Sequence, residues 1–231
     1  MNTQTLVRPN GINHLALATA DMKGVLTFFN EVLGMPLVAL YWMHGADKVI
    51  HGFLRLNESS LLAFVYTPDN PKTVDIGLTH AGNPLAKCAM GTMQHLAFNV
   101  DSVDDLLTLR DRIRSKGIHC MGPLDHSFAQ SLYFAGPEGM TLEICTLVGS
   151  DMSKWVDPEV VELLNISDEE LHKLRNPSPF ESPAEPVPQP SIEQAEAYKM
   201  VFPDGTYDSI MSASDEDVAL IFKEEWEPPN A

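Results

Sequence analysis

The sequence predicts an α+β protein made of two tandem βαβββ modules and a C-terminal extension. Three observations predict it. Gly11-Ile12-Asn13-His14-Leu15-Ala16-Leu17 returns 81 residues later around Gln94-His95-Leu96-Ala97-Phe98, and self-similarity at a fixed offset marks an internal repeat. In both copies a Ser/Asp/Thr-rich turn and a helical pattern follow. The apolar runs after each helix are short and bounded by Gly, Pro and Asn, as strands and turns are.

The elements follow in order. In Gln94 to Val100, His95, Ala97 and Asn99 share one face and Leu96, Phe98 and Val100 the other, which predicts a half-buried strand. Residues 14–17 read the same way. Asp21 caps a helix running through about Leu33, with Val25, Phe28, Phe29, Val32 and Leu33 on one face and Gly34 as its stop. Pro36 to His44 and Lys48 to Leu56 are predicted strands around Gly45-Ala46-Asp47, and Ser60 to Tyr66 is the fourth. Residues 67–93 form an irregular connector. In the second copy Asp101-Ser102 starts a helix, Ile118 to Gly122 is a short strand, and Gln130 to Ala135 and Met140 to Leu147 are joined by the turn Gly136-Pro137-Glu138-Gly139.

From about residue 150 the composition changes. Ser167-Asp168-Glu169-Glu170 is a capping box. Six prolines between Pro177 and Pro190 predict an extended linker. Tyr198 to Met211, around Pro203-Asp204-Gly205, reads as a hairpin, and Ser214 caps a last helix. We therefore divide the chain into a paired-module domain over residues 1–150, with modules at about 10–68 and 91–147, and an extension over 151–231. The extension is read as a strap on its own module or on a partner subunit.

Acidic residues number 32 against 15 basic ones, a formal charge of −17, which argues against nucleic acid or an anionic membrane as partner. Three scattered cysteines match no metal spacing and read as free thiols of a reducing compartment. No segment has the length and apolarity of a signal peptide or membrane span. The expected location is the cytoplasm.

Glu143 is a lone carboxylate in a predicted half-buried strand, and such a group needs a partner or a metal. A single strand histidine is usually satisfied by a backbone carbonyl. Packing gives little reason, however, for both copies of a repeat to carry one. His14, His95 and Glu143 make a two-His-one-carboxylate set, which suits Fe(II) or Mn(II) and leaves coordination positions open.

His14-Leu-Ala-Leu, His95-Leu-Ala-Phe and Ser131-Leu-Tyr-Phe-Ala-Gly-Pro-Glu-Gly-Met-Thr-Leu-Glu143 resemble the vicinal-oxygen-chelate superfamily of glyoxalases, epimerases, bleomycin-resistance proteins and extradiol dioxygenases, over roughly residues 10–147. The resemblance implies a cupped mixed sheet around a divalent metal held by His14, His95 and Glu143. It puts Tyr133 where extradiol enzymes keep a tyrosine that hydrogen-bonds a substrate oxygen. Glyoxalase- and epimerase-type relatives keep a fourth ligand where this chain has Ala63, which cannot ligate; three ligands favour the dioxygenase branch. Catechol-cleaving relatives keep an acid/base histidine where this chain has Ser60. Either His51 or His126 takes that duty, or the substrate is not a simple catechol. His44, His80, His119 and His172 are read as structural or surface residues.

The expectation is thus a metal-dependent dioxygenase cleaving an aromatic vicinal diol or related dihydroxy ring with O₂, most simply with Fe(II) and alternatively with Mn(II). Zn or Ni would go with a lyase, isomerase or glyoxalase-like enzyme stabilising an enolate. A metal-free cup would go with a small-molecule binder of the bleomycin-resistance type. The expected partners are substrate, O₂ and further copies of the chain, as a dimer or higher homo-oligomer.

Overall fold

A computed structural model describes residues 7–43, 45–149, 151–181, 183–192 and 198–221. Pro9–Arg175 form one compact unit; Val7, Arg8 and the described residues from Asn176 onward form another. His44 lies outside the described residues.

In the larger unit the first module comprises β1 (His14–Thr19), α1 (Met22–Leu33), β2 (Leu37–Trp42), β3 (Ile50–Arg55) and β4 (Leu61–Tyr66). The second comprises β5 (Leu96–Asn99), α2 (Val103–Ser115), β6 (Cys120–Asp125), β7 (Ala129–Ala135) and β8 (Thr141–Leu147). Each makes a four-stranded mixed sheet, ordered β1-β4-β3-β2 and β5-β8-β7-β6. The first strand of each runs parallel to the last, and the other pairs are antiparallel. The repeat holds residue by residue. Ala16 pairs with Ala63, and Ala63 with Phe53; at the corresponding places Ala97 pairs with Glu143, and Glu143 with Tyr133.

The helix signals act as read. The Asp21 carboxylate accepts from the Gly24 amide at 2.9 Å, and Gly34 takes φ 77° past the last turn, where its amide donates to Asn30 O. Ser102 caps α2 by accepting from Asp105 N. One core serves both modules, because Phe29 of α1 lies 5.4 Å from Phe64 and 6.2 Å from Phe98 between ring centres. The second module also holds both ends of α1. Glu138 Oε1 accepts from Ala20 N (2.8 Å) and Asp21 N (3.2 Å), and Arg112 donates to Glu31 O (3.0 Å) and Asn30 O (3.3 Å). A carboxylate at the amino end and a guanidinium at the carboxyl end both complement the helix dipole.

Three elements differ from expectation. β6 runs past Gly122-Pro123 to Asp125 instead of stopping at Gly122. It is the edge strand of its sheet, so Pro123 removes no ladder donor, and a bulge between Met121 and Leu124 absorbs the proline. The hairpin predicted over Tyr198–Met211 is absent: no strand forms, and Thr206–Met211 is a helix. Pro203-Asp204-Gly205 does turn, with Thr206 N donating to Pro203 O at 3.0 Å, but Gly205 at φ 76° then passes the chain into a helical turn. Pro158–Leu163 is a further helix, capped by Asp157 with proline at the first position. The capping box over 167–170 starts the helix Asp168–Arg175, and Ser214 starts Asp215–Ile221. No helix among the described residues is long and apolar enough to cross a membrane.

Phe29 is fully buried and Leu163 is 78% exposed. Phe29→Ala should cost about 3–5 kcal/mol in urea unfolding, since it empties the space shared by both modules. Leu163→Ser should change stability by less than about 0.5 kcal/mol.

Candidate metal centre

Alternation along the strands decides which side chains leave the core. Leu15 and Leu17 pack inward, which leaves His14 exposed on the other face of β1; Leu96 and Phe98 pack inward from β5, and His95, just before that strand, is half-buried. On β3 the α carbon of Gly52 faces Met22 and Leu26 of α1, so His51 and Phe53 point away from the helix. On β7 and β8, Tyr133 and Glu143 are register partners.

The second sheet carries the denser cluster. His95 Nε2 lies 3.0 Å from Glu143 Oε2, and the carboxylate is buried. Tyr133 stands opposite Glu143 in the ladder, and its ring lies 6.1 Å from His95 and 6.3 Å from His126 between centres. Burial first, then the Glu143 carboxylate, push the Tyr133 hydroxyl above the ordinary tyrosine range, so it is protonated at neutral pH. His126 is exposed in the β6–β7 turn, where its amide donates to Ala129 O at 2.8 Å and Ser127 takes φ 69°.

The first sheet carries a different set. His14 lies 6.5 Å from His51 and 5.7 Å from Phe53 between ring centres. Tyr41 stacks on Phe53 at 6.1 Å with planes 8° apart. His51 is buried with Nε2 lacking a hydrogen-bond partner. Burial first, and His14 second, pull its pKa below the ordinary histidine range.

The structure therefore brings His95, Glu143, Tyr133 and His126 together, and separately His14 with His51. Among the described residues no three His, Cys, Asp or Glu side chains converge as a metal-holding group. His80 bonds Thr79 through Nδ1, and His119 and His172 are exposed. The seam between modules holds cavities of about 550 and 660 Å³, the first lined by residues from Leu17 to Asp21 with Met93 and Met140, the second by Leu15, Leu61 and Phe98.

Two residues of the site escaped the sequence reading. Asn13 Oδ1 meets His14 Nδ1 at 2.8 Å, and Gln94 Oε1 meets His95 Nδ1. The Gln94 amide is itself oriented, because Nε2 donates to Ala86 O (3.0 Å) and Asn83 O (3.2 Å), which turns its oxygen to the histidine. An amide oxygen only accepts, so Nδ1 must carry the proton, and Nε2 is the nitrogen left for another partner. The signal was an amide residue before the histidine in both copies.

Two of the three expected donors stand together. His95 Nε2 and Glu143 Oε2 are 3.0 Å apart, the distance of a hydrogen bond and equally of two neighbouring positions on a first-row ion.

Comparisons with known proteins bear on the family and the fold. A family model described as Glyoxalase/Bleomycin resistance protein/Dioxygenase superfamily matches residues 11–144. Biphenyl-2,3-diol 1,2-dioxygenase 2 of Rhodococcus globerulus is 31% identical over 131 residues, 57% of this chain and 60% of that protein, so the chain spans less than two thirds of that relative. A glyoxylase/bleomycin resistance protein/dioxygenase domain from Frankia sp. EAN1pec shares the fold, with 16% identity, 61% of this chain and 100% of that one covered, and a TM-score of 0.50.

The coupling between Tyr133 and Glu143 has a spectroscopic readout. In chelator-treated protein, Glu143→Gln should move the Tyr133 titration down in pH, because the neutral amide no longer opposes the phenolate. Ultraviolet difference titration, with Tyr133→Phe as the blank, checks it.

Proposed function

We propose that this chain, which belongs to the Glyoxalase/Bleomycin resistance protein/Dioxygenase superfamily, is a metal-dependent extradiol-type dioxygenase acting on an aromatic vicinal diol or a related dihydroxy ring. The observation that carries this reading is the His95–Glu143 pair at 3.0 Å beside a protonated Tyr133. The similarity to a biphenyl-2,3-diol dioxygenase adds support.

In this reading His95, Glu143 and His14 hold the metal, with Fe(II) first and Mn(II) second. Bound there, the ion supplies Lewis acidity and a route for electron density from the diol to O₂. The protein's own groups do the rest. Gln94 and Asn13 fix the histidine tautomers so that Nε2 is the nitrogen left to ligate. Tyr133, held neutral, donates a hydrogen bond to a substrate oxygen. His126, 6.3 Å from the Tyr133 ring between centres, takes the proton from the diol hydroxyl and returns one later. Ser60 stands where the resemblance expects that group and is a poor proton carrier at neutral pH.

Anaerobic metal loading followed by oxygen-uptake assays on catechols and hydroquinones tests the reading. Iron binding with stoichiometric O₂ consumption supports it. Zinc or nickel binding with no O₂ consumption would assign the enolate-stabilising class instead, and no metal binding would assign a small-molecule binder.

Two substitutions separate the roles. His14→Ala should lose metal and activity together. His126→Ala should keep full metal content while turnover falls by about 10²–10⁴-fold. If His126→Ala retains turnover and His51→Ala does not, the proton carrier is His51.

A further inference from the structure

The two modules repeat one topology but guard their edge strands differently. β6 ends the second sheet, and α2 packs on it as well as on β7 and β8. Pro123 and a bulge between Met121 and Leu124 blunt its outer side, and Asp125 closes it with a charge. β2 holds the matching place in the first sheet. There α1 packs chiefly on β3 and β4 and leaves β2 largely uncovered. The one irregularity of β2 lies at its start, between Leu37 and Ala39, so Ala39 to Trp42 run in regular register against Phe53 to Ile50. Leu37, Leu40 and Trp42 stand opposite Leu54, Gly52 and Ile50, the residues of β3 on the side of α1. They share that side, yet are 47%, 49% and 64% exposed. From Pro36 to Met43 there is no Asp, Glu, Lys, Arg or His. Among the described residues this is a strand with a free edge, an uncovered apolar face and no gatekeeping charge.

We propose that β2 is the surface through which two copies of the chain associate, edge to edge, their β2 strands antiparallel about a two-fold axis. An edge strand offers main-chain donors and acceptors to an incoming strand, and antiparallel pairing with its own copy is self-complementary. The same pairing lays the row Leu37, Leu40 and Trp42 of one copy beside that of the other and takes both rows out of water. Charge selects the occupant. The chain carries a formal charge of −17, so a foreign partner drawn to it would bring basic residues, and this strip has no carboxylate to receive them. A second copy is repelled wherever the surface is acidic and meets no like charge along 36–43. The strip is thus the surface on which a chain of this charge tolerates itself. The proposal stands apart from the functional reading, because the apolar row lies on the helix side of the first sheet and His51 points away from that side.

Sedimentation equilibrium over a series of protein concentrations, with hydrogen exchange on the same samples, tests this. Wild type should sediment as a dimer or larger, and the amides of residues 37–42 should exchange more slowly as concentration rises while those of 120–125 do not. Leu40→Lys and Trp42→Lys, both at exposed positions, should each halve the mass without changing the circular dichroism spectrum. Met121→Lys, on the guarded edge strand, should keep the wild-type mass. A wild type that is monomeric throughout overturns the proposal. So does a mass that neither β2 substitution moves, an equal loss with Met121→Lys, or association without protection at 37–42. Iron content after anaerobic loading should be the same in the β2 variants as in wild type, so failure here leaves the functional reading intact.

Discussion

A helix has a positive end and a negative end, and here the second module supplies the opposing charge to both ends of the first module's helix. Glu138 accepts from the amides just before α1, and Arg112 donates to carbonyls of its last turn. Either contact alone would let α1 pivot. Together with the Phe29, Phe64 and Phe98 rings between them, they fix where one sheet stands against the other. The candidate donors on both sheets are carried by that frame.

Within this frame the two modules are copies that have diverged at a few decisive places. Ala63 and Phe53 occupy the first copy where Glu143 and Tyr133 occupy the second. The exchange loads the carboxylate and the hydroxyl onto one sheet and leaves the other with rings and a methyl group. Burying Glu143 is unfavourable without partners. His95 and Tyr133 supply them, which makes this the point where packing alone does not account for the chain.

Much of the fold was legible because its signals are local. The repeated His-Leu-Ala strand, the Asp21 and Ser102 caps and the Gly34 stop each specify an element without reference to the rest of the molecule. The candidate donors were legible from the repeat, and their faces from strand alternation. What was missed depends on context. Pro123 is compatible with a strand only because β6 lies at an edge. Gly205 permits both a hairpin turn and a helix start, and composition does not choose between them. The division of the donors into two faces depends on how the modules pack, and strand patterns carry no information about that. Asn13 and Gln94 were readable as a repeated amide–histidine pair, and the helix at Pro158 as an Asp-Pro start.

The hold on Gln94 reaches beyond the histidine. Its amide is turned by the carbonyls of Asn83 and Ala86, both in the irregular stretch that joins the two modules. A tether of that kind is ordinarily where insertions and deletions are tolerated. Here, lengthening or shortening it would release the Gln94 side chain and let the His95 imidazole exchange which nitrogen carries its proton, altering the candidate donor set without replacing any of its residues. The spacer between the duplicated halves is therefore under chemical constraint, and a grafted linker of equal length but different backbone path would not be a neutral replacement.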